Sequence, residues 1–153
     1  RMCEEAEAGG SSIGLALIDI DHFKRFNDTW GHQTGDQVLR YVASVLARVA
    51  RAPRIAARYG GEEFAVIFPR ESAGSVAAAL NAAREEIASR NLRRRSTNDN
   101  LGAVTISVGF ALRRAGEAAS QFLERADAAL YVSKRSGRNR VTSAEAVAAS
   151  AAA

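Results

Sequence analysis

The chain has 153 residues, of which 25% are charged, and its formal net charge is +4. A chain of this length fits one domain and buries roughly 70% of its unfolded surface, so it can fold without disulfides. Its single cysteine, Cys3, has no partner, and no segment approaches the roughly 18 apolar residues of a membrane-spanning helix. These features exclude a disulfide framework and favour a cytoplasmic domain, although the full-length protein could be membrane-anchored.

The two ends of the chain differ in composition from the rest. Residues 1–12 combine glutamates with glycines and serines, which predicts a helix remnant followed by a linker. Residues 143–153 are almost entirely alanine, which predicts a frayed helix or a disordered tail. The sequence therefore predicts one folded domain over residues 13–142.

The first half of that domain begins with a strand and a long helix. Residues 13–20 are apolar on both alternating faces and end at acidic residues, as expected of a central strand covered on both sides. Valines and leucines between residues 38 and 49 repeat at helical spacing, and Pro53 excludes a continuation of that helix.

Two further strands are predicted at residues 55–59 and 64–68. Gly60 and Gly61 lie between them, which predicts a tight hairpin in which both glycines have positive φ. The remaining predicted elements are a helix, a strand, a helix that stops at Gly137, and a short strand, at residues 75–92, 104–112, 120–135 and 140–142. The order β-αα-ββ-α-β-α-β predicts an α+β fold with a central five-stranded, mostly antiparallel sheet flanked by helices.

Three consecutive arginines form the densest positive cluster. Arg93, Arg94 and Arg95 are followed by small polar residues, in what reads as a loop. No aromatic residue is interleaved with them, so a solvated basic loop is favoured over a nucleic-acid-binding surface. We therefore expect no nucleic-acid partner.

Two carboxylates, Asp19 and Asp21, end the first predicted strand. Strand periodicity would point both to the same side unless the chain has already turned, and such a pair can hold a hard cation. Alternatively, Asp21 caps a helix that begins near His22. We assign Asp21 mainly to capping and Asp19 mainly to metal binding, because an unpaired carboxylate at a buried strand end would be costly to desolvate.

Glu62 and Glu63 directly follow the two glycines of the predicted hairpin. A glycine turn lets backbone N–H groups approach a phosphate, and adjacent carboxylates bring the cations that neutralise it. Taken alone, the same pattern is typical of a solvated surface hairpin. Its combination with Asp19 and with basic residues elsewhere favours a two-metal site for phosphoryl transfer. The candidate phosphate-binding residues are Lys24, Lys134 and Arg138.

Several motifs occur in the order of one known family and cover nearly all of residues 13–142. They read DIDHFKRFND at residues 19–28, GHQTGD at 31–36, RYGGEEF at 58–64, SVG at 107–109, ADAALY at 126–131 and KRSGRN at 134–139. The chain therefore resembles the GGDEF domain family of diguanylate cyclases, with GGEEF as its signature. The resemblance implies a GGDEF catalytic domain over residues 13–142, with a fold like that of nucleotidyl cyclases and polymerase palm domains.

The resemblance also implies a reaction and a set of site residues. Two subunits of a homodimer, each with one GTP, would face one another and form cyclic di-GMP and pyrophosphate. Two Mg²⁺ or Mn²⁺ ions per active site would be held by Asp19, the carbonyl of Ile20, Glu62 and Glu63. Guanine would be read by Asn27 and Asp36, and the phosphates would contact Phe23, Lys24, Gly60, Gly61, Lys134 and Arg138. The implied catalytic residues are Glu62, Glu63 and Lys24, with Glu62 the candidate for deprotonating the 3′-hydroxyl.

The sequence departs from the family pattern at two places. The RxxD product-binding site of many members corresponds to residues 51–54, where Arg54 stands in place of the aspartate. This degenerate site predicts weak or absent inhibition by cyclic di-GMP through it. The DxLTxLxNR segment that normally lies upstream is missing, which leaves open which sensory or receiver domain precedes the catalytic unit.

Three other functions stay open. A catalytically silent GTP or cyclic di-GMP sensing module would keep the fold, but the intact carboxylates argue against it. Another nucleotidyl cyclase or polymerase-palm enzyme could share the metal-binding carboxylates, whereas Asn27 and Asp36 favour guanine. A basic nucleic-acid-binding module comes last, because the positive charge is neither concentrated nor paired with aromatic residues.

Overall fold

A computed structural model describes residues 12–152, so residues 1–11 of the predicted linker, with Cys3, lie outside the described part of the chain. The strands are β1 (Ile13–Ile20), β2 (Ile55–Arg58), β3 (Glu63–Pro69), β4 (Asn91–Arg93), β5 (Asn100–Ala103), β6 (Ile106–Leu112) and β7 (Arg140–Ser143). The helices are α1 (Phe23–Trp30), α2 (His32–Val49), α3 (Ala73–Ala88), α4 (Ala119–Arg135) and α5 (Ala144–Ala152).

Five of these strands form one mixed sheet in the order β2-β3-β1-β6-β7. The pairs β2-β3, β3-β1 and β1-β6 are antiparallel, and only β6-β7 is parallel. The predicted α+β fold with a five-stranded, mostly antiparallel sheet is therefore confirmed, with β1 at its centre.

The two faces of β1 serve different helices, because successive side chains of a strand point to opposite faces. Ala16, Ile18 and Ile20 belong to a buried cluster with α2 and α3. Ile13 and Leu17 pack instead against α4. Asp19 continues this second series, which directs its carboxylate toward α4.

Strand β6 and helix α4 are in direct backbone contact at Gly109. A Cβ on Gly109 would overlap the backbone nitrogen of Leu130, so only glycine fits this position. Gly109 pairs with Leu17 of β1 in the sheet. This close approach fixes the distance between α4 and the central strand.

The predicted helix over residues 75–92 is wrong at its C-terminal end. Helix α3 stops at Ala88, where the Ser89 hydroxyl donates to the carbonyl of Glu86 at 2.8 Å. Leu92 then enters β4 and is buried in the core beside α2 and α3. Strands β4 and β5 form a separate two-stranded hairpin that residue composition did not indicate.

The alanine-rich segment is helical over Ala144–Ala152. Ala144 is buried in the cluster with α4, and Glu145 forms an ion pair with Arg125 at 3.3 Å. Within residues 12–152, no helix has both the length and the apolar character needed to cross a membrane.

Candidate active site

The C-terminal end of β1 brings together acidic residues from the first predicted strand and the hairpin. Asp19 is only 5% exposed, and it forms an ion pair with Lys134 of α4. The carboxyl of Glu62 adjoins that of Asp19, and the Ile20 N–H donates to the Glu62 carbonyl at 3.3 Å. The structure therefore joins Asp19, Glu62 and Lys134 at one end of the sheet.

The Asp19–Glu62 pair is electrostatically unusual. Burial, followed by the hydrogen bond and the negative charge of Asp19, raises the pKa of Glu62 from its usual 4.5 to about 7. Lys134 opposes this increase but does not cancel it. Oδ1 of Asp19 is also buried and finds no hydrogen-bond partner within the described residues. Two crowded carboxyls with an unpartnered buried oxygen fit a divalent cation that prefers oxygen ligands.

Glu63 has a different orientation from this pair. It lies opposite Asp19 in the β1-β3 register, and its Oε2 lies 2.9 Å from where a Cβ on Gly60 would stand. In the part of the chain that the structure describes, no three acidic, histidine or cysteine side chains gather as a ready set of metal ligands. The pair that could begin a metal site is thus Asp19 with Glu62, next to the backbone of Ile20.

The predicted hairpin between β2 and β3 is present, but its glycines do not have the predicted backbone conformation. Its connection has four residues, 59–62, and the glycines with positive φ among residues 12–152 are Gly31, Gly102, Gly116 and Gly137. Arg58 closes the turn by donating to the carbonyl of Gly60 at 3.2 Å and to that of Gly61 at 2.6 Å. The prediction of positive φ at Gly60 and Gly61 was wrong: the N–H groups of Tyr59 and Gly60 also close this turn, by donating to the Glu63 carbonyl at 2.8 Å and 3.2 Å.

The prediction that Asp21 caps α1 was also wrong. His22 is the N-cap residue, with φ 58°, and no side chain of the described residues caps this helix. The buried Asp21 carboxylate instead accepts hydrogen bonds from the Ser107 hydroxyl at 2.6 Å, the Thr105 hydroxyl at 2.7 Å and the Asn139 N–H at 3.0 Å. Asp21 therefore ties the end of β1 to the start of β6 and to the turn after α4.

That turn carries Arg138, one of the predicted phosphate-binding residues. Arg138 and Asn139 have positive φ values of 63° and 46°, which is unusual for residues other than glycine. Arg138 Nη1 lies 3.8 Å from Asp21 Oδ1, whereas Lys134 pairs with Asp19. The two basic residues thus lie at the same end of the sheet, but each faces a different aspartate.

A cleft of about 360 Å³ adjoins Glu62 on the side of α1 and α2. Its lining residues are Phe23, Lys24, Asn27, His32, Asp36, Leu39, Arg58, Gly61 and Glu62. The cleft therefore brings together most of the residues that the sequence predicts for guanine and phosphate. Gly60, Lys134 and Arg138 do not line it. Arg58 and His32 line it without having been assigned there from the sequence.

Helices α1 and α2 meet closely beneath Asn27. A Cβ on Gly35 would overlap Oδ1 of Asn27 and would lie 3.3 Å from Cζ of Phe23. Oδ1 of Asn27 is buried and has no hydrogen-bond partner among the described residues. Gly35 thus leaves room for an amide oxygen that is desolvated and free to accept a hydrogen bond.

The N-terminus of α1 also borders the cleft. Phe23 and Lys24 are the first residues of the helix, and both line the cleft. The first N–H groups of a helix have no intrahelical acceptor, so an uncapped helix start favours a negatively charged group. The cleft therefore offers donors at one end, near Lys24, and acceptors at Asn27 and Asp36.

Comparison with known proteins connects these features to one family. The family model for "Diguanylate cyclase, GGDEF domain" matches residues 1–140. Diguanylate cyclase VdcA of Vibrio cholerae is 38% identical over 132 residues, which are 86% of this chain and 39% of that protein. Response regulator PleD of Caulobacter vibrioides is 39% identical over 141 residues, which are 92% of this chain and 31% of that protein. The chain thus spans well under half of the length of these curated relatives.

Solved structures give the same result for the fold. The GGDEF domain of DgcB from Caulobacter crescentus, in complex with c-di-GMP, matches with a TM-score of 0.94 and 68% identity. That match covers 95% of this chain and 85% of the other. The active GGEEF domain of a diguanylate cyclase from Vibrio cholerae matches with a TM-score of 0.84 and 27% identity, over 93% of this chain and 88% of the other.

Proposed function

Because the chain belongs to the GGDEF domain family of diguanylate cyclases, we propose that it condenses two GTP molecules into cyclic di-GMP and two pyrophosphates. In each of two steps, a 3′-oxygen forms a bond to the α-phosphorus of the opposite nucleotide and pyrophosphate leaves. The observation that carries the proposal is the position of Glu62, which lines the cleft of about 360 Å³ and adjoins the buried Asp19. The cleft to which we assign the base and the paired carboxylates thus share one residue.

Recognition of guanine is assigned to Asn27 and Asp36. Guanine presents its N1–H and N2–H₂ groups as donors, and carboxylate and amide oxygens accept from them. Adenine lacks this pair of donors on the same edge, so it would leave the buried Oδ1 of Asn27 unsatisfied. The cleft therefore favours GTP over ATP.

Binding of the triphosphate is assigned to the basic residues on both sides of Glu62. Lys24 and the N–H groups at the start of α1 border the cleft, and Lys134 and Arg138 lie at the adjacent end of the sheet. Two Mg²⁺ or Mn²⁺ ions, held by Asp19, the carbonyl of Ile20, Glu62 and Glu63, would neutralise the phosphates and acidify the 3′-hydroxyl. Glu62 is the residue we assign to accepting the 3′-hydroxyl proton.

Catalysis would need two copies of the domain, because each cleft holds one nucleotide and the attacking hydroxyl belongs to the other. Incubation with GTP and Mg²⁺ should yield cyclic di-GMP, detected by mass spectrometry, with a turnover per subunit that rises with protein concentration. Glu62→Gln should abolish product, whereas Glu145→Gln, which changes an exposed acid on α5, should not. GTP binding without product at any concentration, even in a fused dimer, would favour the silent sensing module instead.

We also propose that product inhibition does not operate through residues 51–54. Arg54 donates to Glu71 through Nε at 2.8 Å and Nη2 at 2.6 Å, and its guanidinium lies 5.1 Å from the ring centroid of Phe68. The Arg54 side chain thus binds Glu71 and packs on Phe68, at the position where the family pattern has an aspartate. Arg51→Ala should leave inhibition by added cyclic di-GMP unchanged. Tight binding that this substitution abolishes would overturn the proposal.

A further inference from the structure

A second cavity, of about 610 Å³, lies between α2 and the β4-β5 hairpin. Arg40, Arg90, Arg93 and Arg95 line it, together with Tyr41 and Gln37, and none of the residues 12–152 that line it is acidic. We call this surface the arginine groove. It lies apart from the cleft, although the two share α2, where Asp36 lines the cleft and Gln37 the groove.

The walls of the groove are fixed by hydrogen bonds to Gln37, and the Arg93 guanidinium also donates to the Asn98 carbonyl at 3.3 Å. The Gln37 amide donates to the Arg93 carbonyl at 2.6 Å and accepts from the Arg95 N–H at 3.3 Å, which docks the hairpin onto α2. The guanidinium of Arg90 lies 5.8 Å from the ring centroid of Tyr41. The sequence predicted a solvated loop at Arg93, Arg94 and Arg95 because no aromatic residue is interleaved with them, but the structure places Tyr41 of α2 in the wall of the same cavity.

Two acidic side chains near the groove have other partners. Glu86 pairs with Arg48, and Asp99 accepts from the Thr97 hydroxyl at 2.6 Å. Among residues 12–152, no carboxylate forms an ion pair with any of the four groove arginines. Four guanidinium groups therefore line one concave surface, and none of them is ion-paired to a carboxylate of the described residues.

We propose that the arginine groove binds a small ligand that carries linked phosphate groups. Guanidinium groups donate two parallel hydrogen bonds to a phosphate, and this is the recognition for which arginine is better suited than lysine. The cavity has the size of small-ligand sites, which span roughly 300–1,000 Å³. A compact polyanion places several charges within such a cavity, whereas an extended acidic peptide spreads them along its length. A soluble nucleoside polyphosphate and a phosphorylated lipid headgroup share this chemistry.

The test measures binding of inorganic tripolyphosphate by calorimetry, without divalent ions and at 0.15 M salt, where the screening length is about 8 Å. All proteins carry Lys24→Gln, Lys134→Gln and Arg138→Gln, which remove the three cations assigned to the triphosphate, so that the result does not depend on the proposed cyclase site. Arg90→Gln and Arg95→Gln should each weaken binding about 10-fold or more. Arg114→Gln, which removes the same charge from an exposed position with only a 4.0 Å contact to Glu145, should leave binding within about twofold.

Three controls complete the design. Arg95→Lys keeps the positive charge but loses the paired N–H donors of the guanidinium, so it should also weaken binding. The thermal unfolding curve of this variant should match that of the parent protein. Vesicles of phosphatidylcholine with and without a phosphoinositide distinguish a lipid source from ATP as a soluble one. Equal weakening by Arg114→Gln, no binding at 0.15 M salt, or tighter binding of polyglutamate than of tripolyphosphate would each overturn the proposal.

Discussion

Replacing Gly35 by alanine should weaken GTP binding while the fold keeps its stability. The new Cβ would overlap Oδ1 of Asn27 and lie 2.8 Å from its Cγ. These atoms are the end of a side chain, so Asn27 would swing out of the cleft and the backbone of α2 would stay in place. Alanine also has the higher helix propensity, by roughly 1 kcal/mol. The free energy of unfolding should therefore change by no more than about 1 kcal/mol.

The expected loss of affinity follows from the hydrogen bonds that Asn27 would forfeit. One or two bonds, each worth about 0.5–1.5 kcal/mol net, correspond to a total of roughly 0.5–3 kcal/mol and about a 2- to 150-fold rise in the Kd for GTP. Asn27→Ala should produce a similar loss, and the double variant should add little, because both changes remove the same contact.

A matched control exists in α3, where Gly74 is also helical and a Cβ would meet only Ser72 Oγ, at 3.9 Å. Gly74→Ala should leave GTP affinity unchanged. Denaturant unfolding and titration with a non-hydrolysable GTP analogue measure the two quantities separately. Parental affinity in Gly35→Ala, or a loss of stability of several kcal/mol, would refute the reasoning.

Three further outcomes are expected. Asp21→Ala should lower the free energy of unfolding by about 3–5 kcal/mol, because the buried Ser107 hydroxyl loses a charged acceptor. Denaturant titration measures this loss, and Asp21→Asn should lose less stability than Asp21→Ala. Hydrogen bonds from Arg125 lower the pKa of Glu117 from its usual 4.5 to about 2. The ionised Glu117 therefore stabilises the folded state fully above pH 4.5, and this stabilisation is lost as the pH falls toward 2. The free energy of unfolding of Glu117→Gln should therefore be about 3 kcal/mol below that of the parent at pH 6, and this difference should be about 2 kcal/mol smaller at pH 3. The same difference at both pH values in denaturant unfolding would contradict this. Arg58→Ala should raise the KM for GTP by releasing the turn at Gly61, and an unchanged KM would show that the clamp is dispensable.

The local sequence pattern located β1 correctly but misread the residue that follows it. An aspartate just before a helix is typical of an N-cap, and that local rule assigned Asp21. Its actual partners, Thr105, Ser107 and Asn139, lie 84, 86 and 118 residues away along the chain. A buried carboxylate is stabilised by whichever donors the tertiary fold supplies, and no window of neighbouring residues contains these.

The glycine-rich motifs also show that a local sequence pattern does not reveal contacts with other parts of the fold. Two glycines between strands indicate a turn, and a turn is present, but the pattern does not reveal that Arg58 donates to the carbonyls of Gly60 and Gly61. Gly35 lies inside a helix, where composition alone would rate it as unfavourable. Position 35 is a glycine because a Cβ there would overlap the side chain of Asn27 on another helix, and only the packing of α1 on α2 reveals this contact.

The sheet register explains why these separate segments meet at one end of the domain. Antiparallel pairing places the C-terminal end of β1 beside the N-terminal ends of β3 and β6, with Asp19 opposite Glu63 on one side and Ser107 on the other. A slip of one residue would turn Asp19 away from α4 and into the apolar layer beneath α2 and α3. Leu17 and Gly109 oppose that slip, because Leu17 packs against α4 and Gly109 is the residue that lets α4 approach. The position of the Asp19 carboxylate beside Lys134 and Glu62 is therefore set by apolar packing two residues away from it.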